Sequence, residues 1–429
     1  MKSGGLNRSL DNHVLSSVIF LNEISKKYPD AISFAAGHPC EKFFDVEKML
    51  SCIQYYVEHT DQTQGATLQR AFNALGQYGR TKGLIHEIIA QMLIADAQID
   101  VHPDAVLITV GAQEAMILAL SALCGSSSDA VIVCEPAYVG FTGAAKILGI
   151  PTYPVVSGDD EIDFEALEKA ILMARAIGQR PSLLYCCPDF SNPTGLRMSL
   201  EQRHQILELS KFYDFMIIED STYGHFAFDR QFIPSLKALN TDGRVLHIGT
   251  FSKTLFPGLR IGFMVADQRL DESAEHLLSD ELSKIKSMIT NNTPPLCQAI
   301  VGGYLLKNNF TLKNSMAAKL PFYKNNRDTL LAALDRNFPA QEEWTCGIEW
   351  NKPSGGFFVR LTLPMEVDTQ LLELSTKEHG VLWAPMRDFY LGDGGRNQMR
   401  LSYSHLDPDQ INEGVRRLAE MVRAQRANI

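Results

Sequence analysis

Six short apolar runs recur through the middle of the chain, and each one breaks off into residues that can carry chemistry. They are Val-Leu-Ile-Thr-Val at 106–110, Ala-Val-Ile-Val at 130–133, Leu-Leu-Tyr-Cys-Cys at 183–187, Met-Ile-Ile at 216–218, Val-Leu-His-Ile at 245–248 and Ile-Gly-Phe-Met-Val at 261–265. Hydrophobicity in them is continuous rather than alternating. That pattern suits strands buried on both faces, hence a mainly parallel sheet under helices, an α/β fold. Ligands of open α/β sheets bind beyond the carboxyl ends of the strands, where this chain places its glycines, acids, amides and a lysine. With 429 residues the chain can bury a large core and form two or three domains.

The charge balance, 40 basic against 50 acidic residues and a net −10, argues against a general nucleic-acid binder. No basic cluster interleaved with aromatics offsets it. The eight cysteines are scattered without a CxxC pair, and two of them, Cys186 and Cys187, sit inside an apolar run. They read as core residues of a reducing compartment, and no metal site is expected. Residues 1–10 are polar with no apolar h-region, and no stretch is long enough to span a bilayer. The expected location is the cytoplasm. Residues 14–24 have the spacing of an amphipathic helix.

The richest stretch is 249–262, Gly-Thr-Phe-Ser-Lys-Thr-Leu-Phe-Pro-Gly-Leu-Arg-Ile-Gly. It sets Lys253 between hydroxyl residues Thr250 and Ser252, with Arg260 seven positions on. A lysine buried near another cation has a lowered pKa and can form a Schiff base with a carbonyl; Ser-Lys-Thr alone reads equally as a solvated loop. Gly111-Ala112-Gln113 opens a helical pattern after the first run, where backbone N–H groups can hold a phosphate, or simply mark a turn. Tyr138, in Glu-Pro-Ala-Tyr, can stack on a flat ring or fill the core. Asn192, pushed out of the α region by Pro193, projects an amide from a turn that is also common in plain loops.

Asp220 ends the run at 216–218 and would be costly to bury without a cationic partner, unless it caps a helix. Tyr223 follows three positions later. Asn192 to Asp220 is 28 residues and Asp220 to Lys253 is 33, room in each case for a helix and a strand. Arg400, in the alternating run Gln398-Met-Arg-Leu-Ser, can clamp a carboxylate or lie on the surface. Gly37, in a small-residue turn at 32–39, permits close backbone approach. Tyr78, in Gln-Tyr-Gly-Arg at 77–80, reads as a structural tyrosine as readily as a functional one.

From about Ser33 to the C-terminus these motifs resemble class I/II aminotransferases of the fold-type I pyridoxal-phosphate (PLP) enzymes, most closely the kynurenine and 2-aminoadipate aminotransferase branch. The resemblance implies a large domain with a mainly parallel seven-stranded sheet under helices, plus a smaller α+β domain. It divides the chain into an N-terminal arm and part of the small domain (1–49), a PLP-binding domain (50–300) and a small C-terminal domain (301–429). It implies pyridoxal 5'-phosphate held as a Lys253 aldimine, with Asp220 on the ring nitrogen and Asn192 and Tyr223 on the ring oxygen. Tyr138 would stack on the ring, and Gly111, Ala112, Gln113, Thr250, Ser252 and Arg260 would bind the phosphate. Gly37, Asn192 and Arg400 would meet the substrate, and the Gly355-Gly356 strand would reach the active site. Tyr78 would cross a homodimer interface to the neighbouring phosphate, and the N-terminal arm would pack over the active-site mouth.

The implied reaction joins an L-α-amino acid and a 2-oxo acid as small-molecule partners. The sequence departs from the family at Pro385-Met386, where relatives carry Pro-Gly, so that Met386 replaces the glycine and Arg387 follows it, and at His38; both fall near the expected substrate pocket. A PLP-dependent cyclase, lyase or oxidase on the same scaffold is therefore the alternative enzyme. A PLP-dependent regulator is disfavoured, because only about 30 residues precede the similarity.

Overall fold

A computed structural model describes residues 23–427 except Ser25, 65–66, 157, 159–161 and 272–275. The helical spacing at 14–24 therefore lies almost wholly outside the described residues. Eight strands occupy the first two thirds: β1 (Ile32–Ser33), β2 (Val106–Thr109), β3 (Asp129–Glu135), β4 (Thr152–Val156), β5 (Arg180–Cys186), β6 (Met216–Asp220), β7 (Val245–Thr250) and β8 (Gly262–Val265). All but β1 join one seven-stranded sheet in the order β2-β8-β7-β6-β5-β3-β4. From β7 to β4 every pairing is parallel, and β8 runs antiparallel to both its neighbours.

Each of the six apolar runs forms a strand, as continuous hydrophobicity requires when helices cover both faces. One face packs on the helices Gly111–Leu123 and Val139–Ile147 through Tyr185, Ile218 and Ile248. The other packs on Phe164–Ala176 and Leu200–Tyr213 through Leu184, Ile217 and Val245. The seventh strand, β4, was not announced by an apolar run. It holds Pro154, which has no N–H to give to a ladder, and it is one of the two edge strands, pairing with β3 alone. Because side chains alternate, Asp220 shares the face of Ile218, while Glu219 points through the opposite face.

The last third adds β9 (Glu349–Trp350), β10 (Phe358–Thr362), β11 (Val381–Leu382), β12 (Ala384–Pro385) and β13 (Gln398–Ser402). Four of these form an antiparallel sheet, β12-β13-β10-β9, and β1 pairs in parallel with β11. That pairing ties residues 32–38 to the C-terminal part. The long helix Lys313–Asn337 lies along Pro408–Arg426. The glycine pair meets the loop after β6: Phe228 N donates to Ser354 O at 3.0 Å and Gly356 N to Phe226 O at 3.1 Å.

Candidate active site

Beyond the carboxyl ends of β5, β6 and β7 lies one pocket lined by Ala112, Gln113, Tyr138, Asn192, Asp220, Tyr223, Thr250, Ser252, Lys253 and Arg260. Ten residues singled out in the sequence, spread over 149 positions from Ala112 to Arg260, thus share a single cavity. Gly37 and Arg400 adjoin it. The Lys253 Nζ donates to the Gly37 carbonyl at 2.9 Å, and Arg400 Nη1 donates to Asn192 Oδ1 at 2.7 Å.

Lys253 follows β7 in a turn held by Thr250, whose Oγ1 accepts from Ser252 N at 3.2 Å and donates to Ile261 O at the same distance. Burial, reinforced by the Arg400 and Arg260 guanidiniums, pulls the Lys253 amine down to about 8. From the long helix, Lys319 Nζ donates to the carbonyl of Thr254 at 2.6 Å and secures the turn on its far side.

Arg260 adopts a left-handed backbone with φ 53°, which turns its guanidinium back over the helix that begins at Gly111. Gly111 has φ 71°, and a Cβ there would lie 2.7 Å from Arg260 Nη2. A Cβ at Gly262 would lie 2.7 Å from the Gly111 carbonyl carbon and 2.9 Å from Ala112 N. Two glycines therefore let a helix N-terminus, an arginine and the Thr250–Ser252 hydroxyls close on one spot. Free N–H groups, a helix dipole and a cation able to bind bidentately suit that spot to a phosphate. Gln113 uses its side chain differently, donating from Nε2 to Gly140 O at 2.7 Å and tying the Tyr138 segment to the cradle.

Asp220 is only 5% exposed, and burial raises its pKa. Its Oδ2 accepts from Tyr185 Oη at 2.8 Å, and its Oδ1 from Thr222 Oγ1 at 2.6 Å and Thr222 N at 3.1 Å. All these donors are neutral, and among the described residues no cation pairs with it. A buried carboxylate so placed calls for a cationic partner, such as a protonated pyridine nitrogen. Arg400, 6% exposed on β13, is the converse case. Burial lowers it to about 10, its guanidinium rests 4.5 Å from the Phe358 ring centre and 5.1 Å from that of Phe389, and among the described residues its Nε has no partner. It is a desolvated cation that lacks an anion. Asn192 Oδ1 is engaged by Arg400, which leaves the amide N–H groups to donate toward the pocket. Burial raises the Tyr223 hydroxyl well above its usual range and keeps it a neutral donor.

Other expectations fell elsewhere. Tyr78 does not line the pocket; its side chain is 83% exposed on the single chain. Arg387 turns away to the Gly392 carbonyl and to Asp393, 3.6 Å distant, while Met386 is fully buried. His38 stacks near His405, with ring centres 4.4 Å apart. The sequence reading missed Tyr185 and Thr222. Tyr185 had a faint signal, a hydroxyl inside an otherwise apolar buried strand; Thr222 had none, since its role depends on how the chain turns after β6.

A buried lysine, a spot suited to phosphate and a buried acid with no cation beside it among the described residues have the chemistry a PLP site needs. The family model for aminotransferase class I and II matches residues 45–418, and the chain belongs to that family. It is 42% identical to the (S)-3,5-dihydroxyphenylglycine transaminase of Amycolatopsis orientalis, covering 98% of this chain and 94% of the relative. It is 31% identical to aromatic-amino-acid aminotransferase 1 of Thermococcus litoralis, over 92% and 89%. The crystal structure of the Pyrococcus horikoshii kynurenine aminotransferase, in complex with PMP and with kynurenine as substrate, superposes with a TM-score of 0.83 at 28% identity over 98% of each chain. The protein is a PLP-dependent aminotransferase, and its named relatives favour that activity over the cyclase, lyase or oxidase alternative.

Proposed function

We propose that the chain moves an amino group from an aromatic L-α-amino acid to a 2-oxo acid, with Lys253 as the proton carrier. The observation that carries this reading is the meeting of Lys253, Asp220 and Arg400 around one pocket. Pyridoxal phosphate, when bound, supplies an aldehyde for the amino group and a ring that delocalises the electrons left by Cα–H cleavage. Lys253 Nζ holds the cofactor at rest. Once displaced by a substrate amine, it would be free to carry the proton that leaves Cα, acting first as base and then as acid. An Nζ that ionises near 8 suits both directions of transfer.

Asp220 would hold the proton on the cofactor's ring nitrogen, and Asn192 and Tyr223 would donate to its ring oxygen. The Gly111, Ala112 and Gln113 turn holds the phosphate together with Thr250, Ser252 and Arg260. Tyr138 would cover the ring and exclude water. Arg400 grips the substrate α-carboxylate, and Gly37 lies alongside. Two named relatives and the aromatic wall of Phe358 and Phe389 support an aromatic donor. The active form we propose is a homodimer in which Tyr78 of the partner subunit completes the phosphate site; its exposure on the single chain supports this. The division at about residues 50 and 300 accompanies that assembly, and the eight free cysteines support a cytoplasmic location. Screening amino acids against the bound cofactor tests the reading. Aromatic donors should convert the aldehyde absorbance to the amine form and a 2-oxo acid should restore it; irreversible bleaching, or ammonia release without an acceptor, would contradict it.

A further inference from the structure

A second cavity, of about 380 Å³ and larger than the catalytic pocket, opens behind the loop that follows Asp220. The two pockets share that loop. Asp220, Thr222 and Tyr223 face the catalytic side, while Ser221, Gly224 and His225 line the other. The cavity has polar groups to spare. His225 makes no hydrogen bond through either ring nitrogen among the described residues. His247 Nδ1 meets Glu219 Oε2 at 2.9 Å, and its Nε2 has no partner among the described residues. Arg230, exposed at the cavity's mouth, forms no ion pair or hydrogen bond among the described residues and holds a left-handed backbone with φ 57°.

Of the other charges around the cavity, Asp189 has ionic partners, while Asp96 and Lys313 are hydrogen-bonded to neutral groups. Asp189 binds Arg197 at 2.9 Å and Arg203 at 2.7 Å, Asp96 accepts from Leu312 N at 2.8 Å, and Lys313 donates to Ala95 O. What remains with free donors is one guanidinium and two imidazoles, groups that can bind an anion. Facing them is an apolar wall of Phe232, Met316 and Leu320, with the Phe232 side chain half exposed. A bare inorganic ion would leave that wall wet. A convergent cationic group beside an apolar surface in a cavity this size suits a small organic acid.

We propose that this cavity is a second ligand site, for a small carboxylate with an apolar body, held by Arg230 and His225 and felt in the active site through the shared loop. Ser221 N donates to Ile248 O at 2.9 Å, so the loop is anchored to β7 between the two pockets. A ligand pressing on Ser221 and His225 acts on the residues that flank Asp220 and Tyr223. The site is independent of Arg400, which belongs to the catalytic pocket.

Equilibrium dialysis of the PLP-loaded enzyme with labelled phenylacetate tests this, alongside the variants Arg230→Ala, His225→Leu and Arg400→Ala. Retained cofactor absorbance and unchanged uninhibited turnover show that the first two variants fold. Binding that survives Arg400→Ala but weakens by about tenfold in Arg230→Ala and in His225→Leu is expected. In wild-type kinetics phenylacetate should lower kcat even at saturating donor, and that component should vanish in both cavity variants. Binding lost only in Arg400→Ala, purely competitive inhibition, or no binding up to about 10 mM, a Kd weaker than pockets of this kind give, would overturn the proposal.

Discussion

Lys253 carries the most specific expectations at the scale of a residue. Its amine is pulled down by burial and by two guanidiniums, so the charged form is the disfavoured one in the folded protein. The neutral, nucleophilic amine therefore predominates above about pH 8. Capture of PLP by the cofactor-free protein should accelerate as pH rises through that value, and stopped-flow absorbance measures it; a rate still climbing toward pH 10, the range of a solvated lysine, would mean that the side chain is not desolvated. Lys253→Ala should lower turnover by at least about a hundredfold, the usual scale of a lost general acid–base. Tyr185 is the complementary case. It is a positioning residue that holds Asp220 Oδ2, so Tyr185→Phe should raise the carboxyl pKa further. The expected signature is a shift in the pH titration of the bound cofactor's absorbance, with Phe141, stacked 3.9 Å away, keeping the ring in place; an unchanged titration would reduce Tyr185 to packing.

At the scale of elements, the phosphate cradle depends on backbones approaching where no Cβ fits. Gly262→Ala would drive a methyl group against the Gly111 carbonyl carbon and Ala112 N, atoms that cannot rotate aside. Destabilisation of at least about 1 kcal/mol is expected, with weaker PLP binding. Calorimetry together with cofactor dialysis separates the two effects, and an unaltered cofactor affinity would detach the glycine from the cradle. The six runs that became strands were legible because two-sided burial leaves an unbroken apolar signature. β4 was not, because an edge strand with Pro154 tolerates mixed composition. The motif residues at strand ends were legible through type and order. Their contacts were not: nothing in the sequence shows that Gln113 reaches Gly140 O or that Arg387 turns to Asp393 instead of the pocket.

At the scale of the whole molecule, the single chain leaves Tyr78 exposed, and Met288 at 84% and Ile289 at 50% likewise. Exposed apolar side chains of this size suit an interface, which the sequence alone does not reveal because exposure is a property of the fold. If Tyr78 serves the neighbouring site, inactive Lys253→Ala chains and weakened Tyr78→Ala chains should complement each other. Mixed and re-equilibrated, they form dimers with one intact site. Activity above the sum of the separate variants is expected in turnover assays of the mixture; strictly additive activity would confine Tyr78 to its own subunit.

Borohydride reduction of the PLP-loaded protein, followed by peptide mass spectrometry, tests the central assignment most directly. The phosphopyridoxyl mass should sit on Lys253 alone, and prior addition of an amino donor should leave that lysine unmodified. A label on another lysine, or a Lys253 still labelled after the donor is added, would contradict the account.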